Sequence, residues 1–131
     1  MELRSVEELM DLLYACRHQQ ALRTAALLRR SRPADKELQV AGLVRDIGQL
    51  LSAADGSARA ERAAAAVRPL LGERVAHLVR HHGPTSDDDL ARLREADEES
   101  RAVVFDAGVL EDWRTLLELV AARNSRLGAV D

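Results

Sequence analysis

Aromatic side chains are almost missing from this sequence: one Trp, one Tyr and one Phe make up 2% of its 131 residues. Its core must be built from aliphatic side chains, and the prominence of Ala, Leu and Arg favours helices packed through small surfaces. Cysteine is scarce too. The lone Cys16 excludes an internal disulfide and fits a reducing compartment. Set in an apolar helical stretch, it reads as a buried structural thiol rather than a nucleophile. No apolar run reaches the length of a membrane span. Met1 to Leu13 carries acidic residues without the basic-then-apolar order of a leader. The expectation is a cytoplasmic protein with no membrane attachment. Positive charge is not in excess, and a formal net charge of -3 leaves no basic footprint for nucleic acid. Strand alternation is also lacking.

What is there is helical periodicity along nearly the whole chain. Charged residues at 31% and apolar residues at 47% describe a globular chain, and its length suits one domain with a real core. Ser5 followed by Glu8 has capping-box spacing and opens a first helix with Val6, Leu9, Met10, Leu13 and Tyr14 on one face. A second helix is expected over about Gln19 to Arg30, facing in through Leu22, Ala25, Ala26 and Leu28 and stopped by Pro33. The third begins near Asp35 and runs through Leu38, Ala41, Leu43, Val44 and Ile47 to Leu51. It is apolar almost all round and should be the most buried.

Ser52 to Ser57 reads as a loop, and a fourth helix follows over about Ala58 to Leu71, with an alanine run from Ala63 and Pro69 disturbing its last turn. Gly72 separates a fifth helix, Glu73 to His82, which Gly83-Pro84 ends. Ser86 with Asp89 caps a sixth to about Glu95, a seventh covers Glu98 to Phe105, and an eighth runs from Leu110 to Arg123. The fold class is a single-domain all-α bundle.

The run Glu37 to Gln49 leads apolar residues into the pair Arg45-Asp46. It resembles the central helix of the HD-domain superfamily, in which a His-Asp pair binds metal. The resemblance covers nearly the whole chain and is nearest to the small oxygenase-like branch, which includes phosphonate-cleaving di-iron enzymes and is akin to inositol oxygenase. Gln20-Ala21-Leu22-Arg23-Thr24-Ala25-Ala26-Leu27 resembles that branch's His-Ala-Leu-Gln-Thr-Ala-Ala-Leu helix. Glu61 to Gly72, Val75 to His82 and Arg101 to Ala107 are similar to its later helices, the last supplying a terminal carboxylate. The resemblance implies an HD-like helical bundle over 1–124, a frayed tail over 125–131, and ligands from five helices around two metals.

Those ligands are only partly present. Gln20 stands at the first His position, Arg45 at the His of the His-Asp pair, and Arg59 at or near the next His. Asp46, His82 and Asp106 match the remaining positions and would form the alternative metal site, for Fe or Mn. Arginine carries a permanent positive charge and no lone pair, so it cannot ligate a cation. The arginines read instead as substitutes for the metals, with Arg45 or Arg59 neutralising buried carboxylates by paired hydrogen bonds. Gln20 fits either a ligand contact or a satisfied buried amide. His77 and His81 have a spacing that can bind zinc, yet no Cys or Glu pattern accompanies them, which favours surface histidines. Asp87-Asp88-Asp89 reads as a charge run at a helix N-terminus, and Trp113 as a core or interface anchor.

The function implied is a non-catalytic, metal-free HD-like protein. It would bind a small anionic ligand, or a protein partner or second copy through the alanine run or the face around Trp113. The alternative is a reduced phosphohydrolase or HD-type oxygenase on Asp46, His82 and Asp106.

Overall fold

A computed structural model of the chain describes residues 2–16, 18–51, 56–81 and 85–129. These form α1 (Val6–Ala15), α2 (His18–Ser31), α3 (Lys36–Val44), a 3-10 turn (Arg45–Ile47), α4 (Gly48–Leu51), α5 (Gly56–Leu71), α6 (Glu73–Arg80), α7 (Asp88–Ala102), a second 3-10 turn (Leu110–Trp113) and α8 (Arg114–Ala129). No strand occurs among the described residues, and no described helix is long and apolar enough to cross a membrane. The all-α bundle is therefore observed.

At the centre lies α3, packed on α2, α6, α7 and α8, with every residue from Leu38 to Val44 buried. One of them is polar. Gln39 satisfies its amide by donating to the carbonyl oxygens of Arg32 (2.9 Å) and Pro33 (3.3 Å), which tethers the exit of α2 to the start of α3. Ser5 caps α1 by accepting from the Glu8 N–H at 3.1 Å, while Glu8 reaches back to the Arg4 N–H at 3.0 Å, one residue before the reciprocal position expected of a capping box. Leu9, Met10 and Leu13 are buried as the periodicity requires. Tyr14 is not: it is 53% exposed, with its hydroxyl 3.4 Å from Glu111 Oε2.

The third helix does not run unbroken to Leu51. It tightens at Arg45–Ile47 and restarts at Gly48, which buries Ile47 and Gly48. Gly48 has ordinary helical angles (φ -58°) and is small for a different reason. A Cβ there would fall on the Arg59 carbonyl, 2.7 Å from its carbon, so α4 and α5 touch backbone to backbone. Of the loop expected over Ser52 to Ser57, Gly56 and Ser57 belong to α5, and residues 52–55 lie outside the described residues.

The fourth predicted helix reaches Leu71 with Pro69 inside it. The proline deprives Ala65 of a hydrogen bond, but Ala65 and Pro69 both lie on the exposed side, where solvent can satisfy the carbonyl. Asn124 donates to the Pro69 carbonyl at 3.0 Å, and Gly72 turns the chain at φ 98°. Ala63, Ala64 and Ala66 are buried within the chain, so the alanine run is not available as a docking face.

The sixth and seventh predicted helices are one, α7, capped by Asp87 rather than Ser86: Asp87 accepts from the N–H groups of Asp89 (2.9 Å) and Leu90 (3.1 Å). The segment expected as helix up to Phe105 leaves helical geometry at Val103. The last helix continues past Asn124 to Ala129, where a frayed tail was expected. Trp113 is a core anchor, with the Arg29 guanidinium 3.8 Å from its ring centroid. Away from the core, Arg74 gathers the elements. It holds Asp35 with two contacts (2.7 and 2.8 Å), Glu37 at 3.2 Å and Asp89 at 3.0 Å, joining the starts of α3, α6 and α7.

Replacing Gly48 by Ala should cost about 1–3 kcal/mol, because the added methyl must push α5 off α4 against backbone atoms that cannot rotate away. A lowered urea midpoint with an unchanged m-value would show it; a midpoint equal to that of the parent chain would mean that the helices are not in this contact.

Candidate functional site

The 3-10 turn carries Arg45 and Asp46 to the junction of α2 and α7. The residue they meet there is Asp97, which the sequence reading passed over. Asp97 lies on the buried stripe of α7, with Leu90, Leu93, Ala96 and Ser100, and its side chain is 8% exposed. Its Oδ2 is 3.1 Å from Arg101 Nη2 and 3.5 Å from Arg45 Nη1, and its Oδ1 accepts from Gln20 Nε2 at 3.4 Å. The signal for Asp97 was present in the spacing, which places it four and seven residues after Leu93 and Leu90, on the same helical face. It was obscured by breaking the helix between Glu95 and Glu98.

A hydroxyl seam fixes this geometry. Ser100 Oγ donates to the Asp97 carbonyl at 2.6 Å and accepts from Thr24 Oγ1 at 2.9 Å, while Arg23 Nε donates to the Ser100 carbonyl at 3.1 Å. Thr24 and Ser100 are both buried, so α2 and α7 are held by polar groups that have no water to compete for them. Gln20, one helical turn before Thr24, is thereby set against Asp97.

Asp46 lies in the same cluster. Burial is the main cause that pushes its carboxyl above the usual aspartate range, and the neighbouring Asp97 pushes it the same way, while Arg45 and Arg101 pull it back. Burial, then the Asp46 charge, likewise raises the Cys16 thiol. Cys16 is half-buried at the end of α1, and its environment keeps it protonated, the opposite of what activates a nucleophile. The site is a compact knot of two carboxylates, two guanidiniums and an amide.

The other expected site residues are placed differently. Arg59 is exposed on α5, and only its backbone approaches the turn, at Gly48. Asp106 is exposed in the extended segment after α7, where its Oδ1 accepts from the Gly108 N–H at 2.9 Å in a local turn. It is not brought to Asp46. His82 lies outside the described residues. His77 is exposed, whereas His81, the C-cap of α6, turns towards the cluster. Among the described residues no group of three or more His, Cys, Asp or Glu side chains is arranged to hold a metal ion.

Beside the knot is a partly open cavity of about 260 Å³, polar where Arg45, Asp97 and Arg101 face it and apolar where Leu78, Leu90 and Leu93 do. Arg45 Nη1 and His81 Nε2 are buried and have no hydrogen-bond partner among the described residues. Buried polar atoms left without a partner are costly, about 1–3 kcal/mol each. No family model, curated protein or solved structure matches the chain.

Asp46→Asn tests the knot through pH. A carboxyl with a raised folded-state pKa binds its proton more tightly when folded, so the parent chain loses stability as pH rises from the ordinary value of 3.8 through the raised one. The asparagine variant escapes that loss. Its urea midpoint should match the parent's below that ordinary value and exceed it increasingly towards neutrality, and Cys16 should react faster with a disulfide reagent at pH about 8 as thiolate forms more readily. A midpoint difference independent of pH would place Asp46 in water.

Proposed function

We propose that this chain is a non-catalytic HD-domain-type protein whose metal centre has been replaced by a salt-bridge knot, and which acts by binding a small anionic ligand beside that knot. The observation that carries the reading is the convergence of Arg45 and Arg101 on the Oδ2 of buried Asp97, next to Asp46, at the turn where the resemblance puts the metal-binding pair. A divalent cation about 5 Å from a guanidinium is repelled by roughly 6–7 kcal/mol at an effective dielectric constant of ~20. With arginines already neutralising the carboxylates, the electrostatic work of a metal is done by fixed side chains. The expected partners Arg59 and Asp106 are exchanged for Arg101 and Asp97, but the principle of arginine standing for metal is the same. Guanidinium forks also suit carboxylate and phosphate oxygens, which favours an anion as ligand.

One observation favours a second reading, a reduced metal-dependent phosphohydrolase or oxygenase. Asp46 and Asp97 are near enough that each carboxylate disfavours the other's charge, and a divalent cation relieves such a pair if Arg45 and Arg101 swing out.

Metal content after loading with iron(II) or manganese(II) separates the two. Under the non-catalytic reading the loaded chain retains less than about a tenth of an equivalent, measured by inductively coupled plasma mass spectrometry. Retention near one equivalent, abolished by Asp46→Ala and raised further by Gln20→His with Arg45→His, would establish the metalloenzyme instead.

A further inference from the structure

We infer that the cavity beside the knot is a binding site for a compact aliphatic monocarboxylate, its carboxylate held by Arg45 and His81 and its alkyl body by the leucine wall. The inference rests on the metal-free reading of the cluster and adds the ligand's chemical class.

Size comes first. About 260 Å³ is below the ordinary 300–1,000 Å³ of pockets for drug-sized ligands, so a molecule on the order of ten non-hydrogen atoms fits inside, whereas a nucleotide would leave most of its body outside the partly open mouth. Charge comes second. Among the side chains that line the cavity, the guanidiniums of Arg45, Arg94 and Arg101 face the carboxylates of Asp97 and Glu98, with Asp46 behind them in the knot, so a monoanion is better tolerated there than a dianion.

Hydrogen bonding gives the orientation. Most donors around the cavity are engaged: Arg101 on Asp97, and Arg94 on Glu98 at 3.3 Å. Among the described residues, Arg45 Nη1 and His81 Nε2 are the two cavity-lining atoms buried without a hydrogen-bond partner; Arg45 Nη1 meets Asp97 Oδ2 only as an ion pair at 3.5 Å. They come from different elements, the 3-10 turn and the end of α6, and face the same space. A carboxylate offers one oxygen to each, with His81 in the tautomer that carries its proton on Nε2. Leu78, Leu90 and Leu93 supply the remaining wall, which has no polar group to satisfy and suits methylenes rather than hydroxyls.

The test is an amide-resolved NMR titration of the isotope-labelled full chain with pentanoate, with pentanamide as the neutral isostere and inorganic phosphate as the competing anion. Pentanoate should shift the resonances of Arg45, His81 and Leu93 saturably, with pentanamide binding at least about tenfold more weakly because it cannot form charge-assisted bonds. Arg45→Lys, which keeps the charge but cannot set a donor where Nη1 stands while also reaching Asp97, should weaken pentanoate by a similar factor. Glu98→Gln should tighten it: the side chain is exposed, so the fold is not at stake, and the change removes a facing negative charge and frees Arg94.

Equal binding of pentanamide, or saturation by phosphate without saturation by pentanoate, would overturn the ligand class. Absence of saturation by all three would overturn the site. Metal loading judges the underlying reading separately, so the two can fail independently.

Discussion

A carboxylate inside a helical bundle has to be neutralised or hydrogen-bonded, and Asp97 imposes that requirement on everything around it. Its position on the buried stripe of α7 is set by Leu90 and Leu93, which are drawn inward by their own apolar surface and carry the acid with them. Arg45 must then point in rather than out, which the 3-10 turn allows. Gln20 must face α7, which the Thr24–Ser100 pair enforces. The guanidinium contacts are single and unequal, with Arg101 mostly exposed and Arg45 mostly covered. Arg45 is therefore the partner whose loss would leave the buried charge least compensated, a situation that costs about 3–5 kcal/mol in comparable pairs.

Arg74 makes a different kind of ionic junction. Its geometry is better than that of Arg45, with a bidentate grip on Asp35 and further contacts to Glu37 and Asp89, and it holds the Asp35 carboxyl below its usual range. Yet Arg74 is more than a third exposed, and solvent screening discounts each of these bonds. What it supplies is registry. Asp35 caps α3 and Asp89 lies in the first turn of α7, so one guanidinium aligns the starts of two helices that meet again at the knot. The better-formed network sits where it is worth less per bond, and the poorer one where charge is hardest to tolerate.

Much of the fold was legible because apolar period and capping chemistry act locally. The burial of α1 and α3, the Ser5 cap and the Gly72 break all follow from spacing and residue type. The failures have physical causes. Ser86 and Asp87 are both good caps, and adjacent alternatives are decided by tertiary contacts such as Asp89 on Arg74 and Arg32. Val44-Arg45-Asp46-Ile47 contains no glycine or proline, so nothing local announces the 3-10 tightening. The site suffered most. Asp106 enters it only through the resemblance of Arg101 to Ala107 to a ligand-bearing segment, whereas here the chain leaves the helix at Val103, a β-branched residue, and Gly108 at φ 85° closes a turn in the exposed segment that follows. Asp97 was missed by ending a helix too early. The nearness of Arg45 to Asp46 was readable because the two are neighbours in sequence; that Asp97 joins them is a matter of long-range packing.

The covered indole has an optical consequence. Because Trp113 is the chain's one tryptophan, all indole emission originates from a ring that is 1% exposed and capped by the Arg29 guanidinium. That emission is short-wavelength while the Leu110–Trp113 turn stays docked against α2 and moves to the red once water reaches the ring. The reporter is built into the contact between α2 and the turn that leads into the last helix, so a substitution at the knot that leaves the spectrum untouched has changed the pocket and not the bundle.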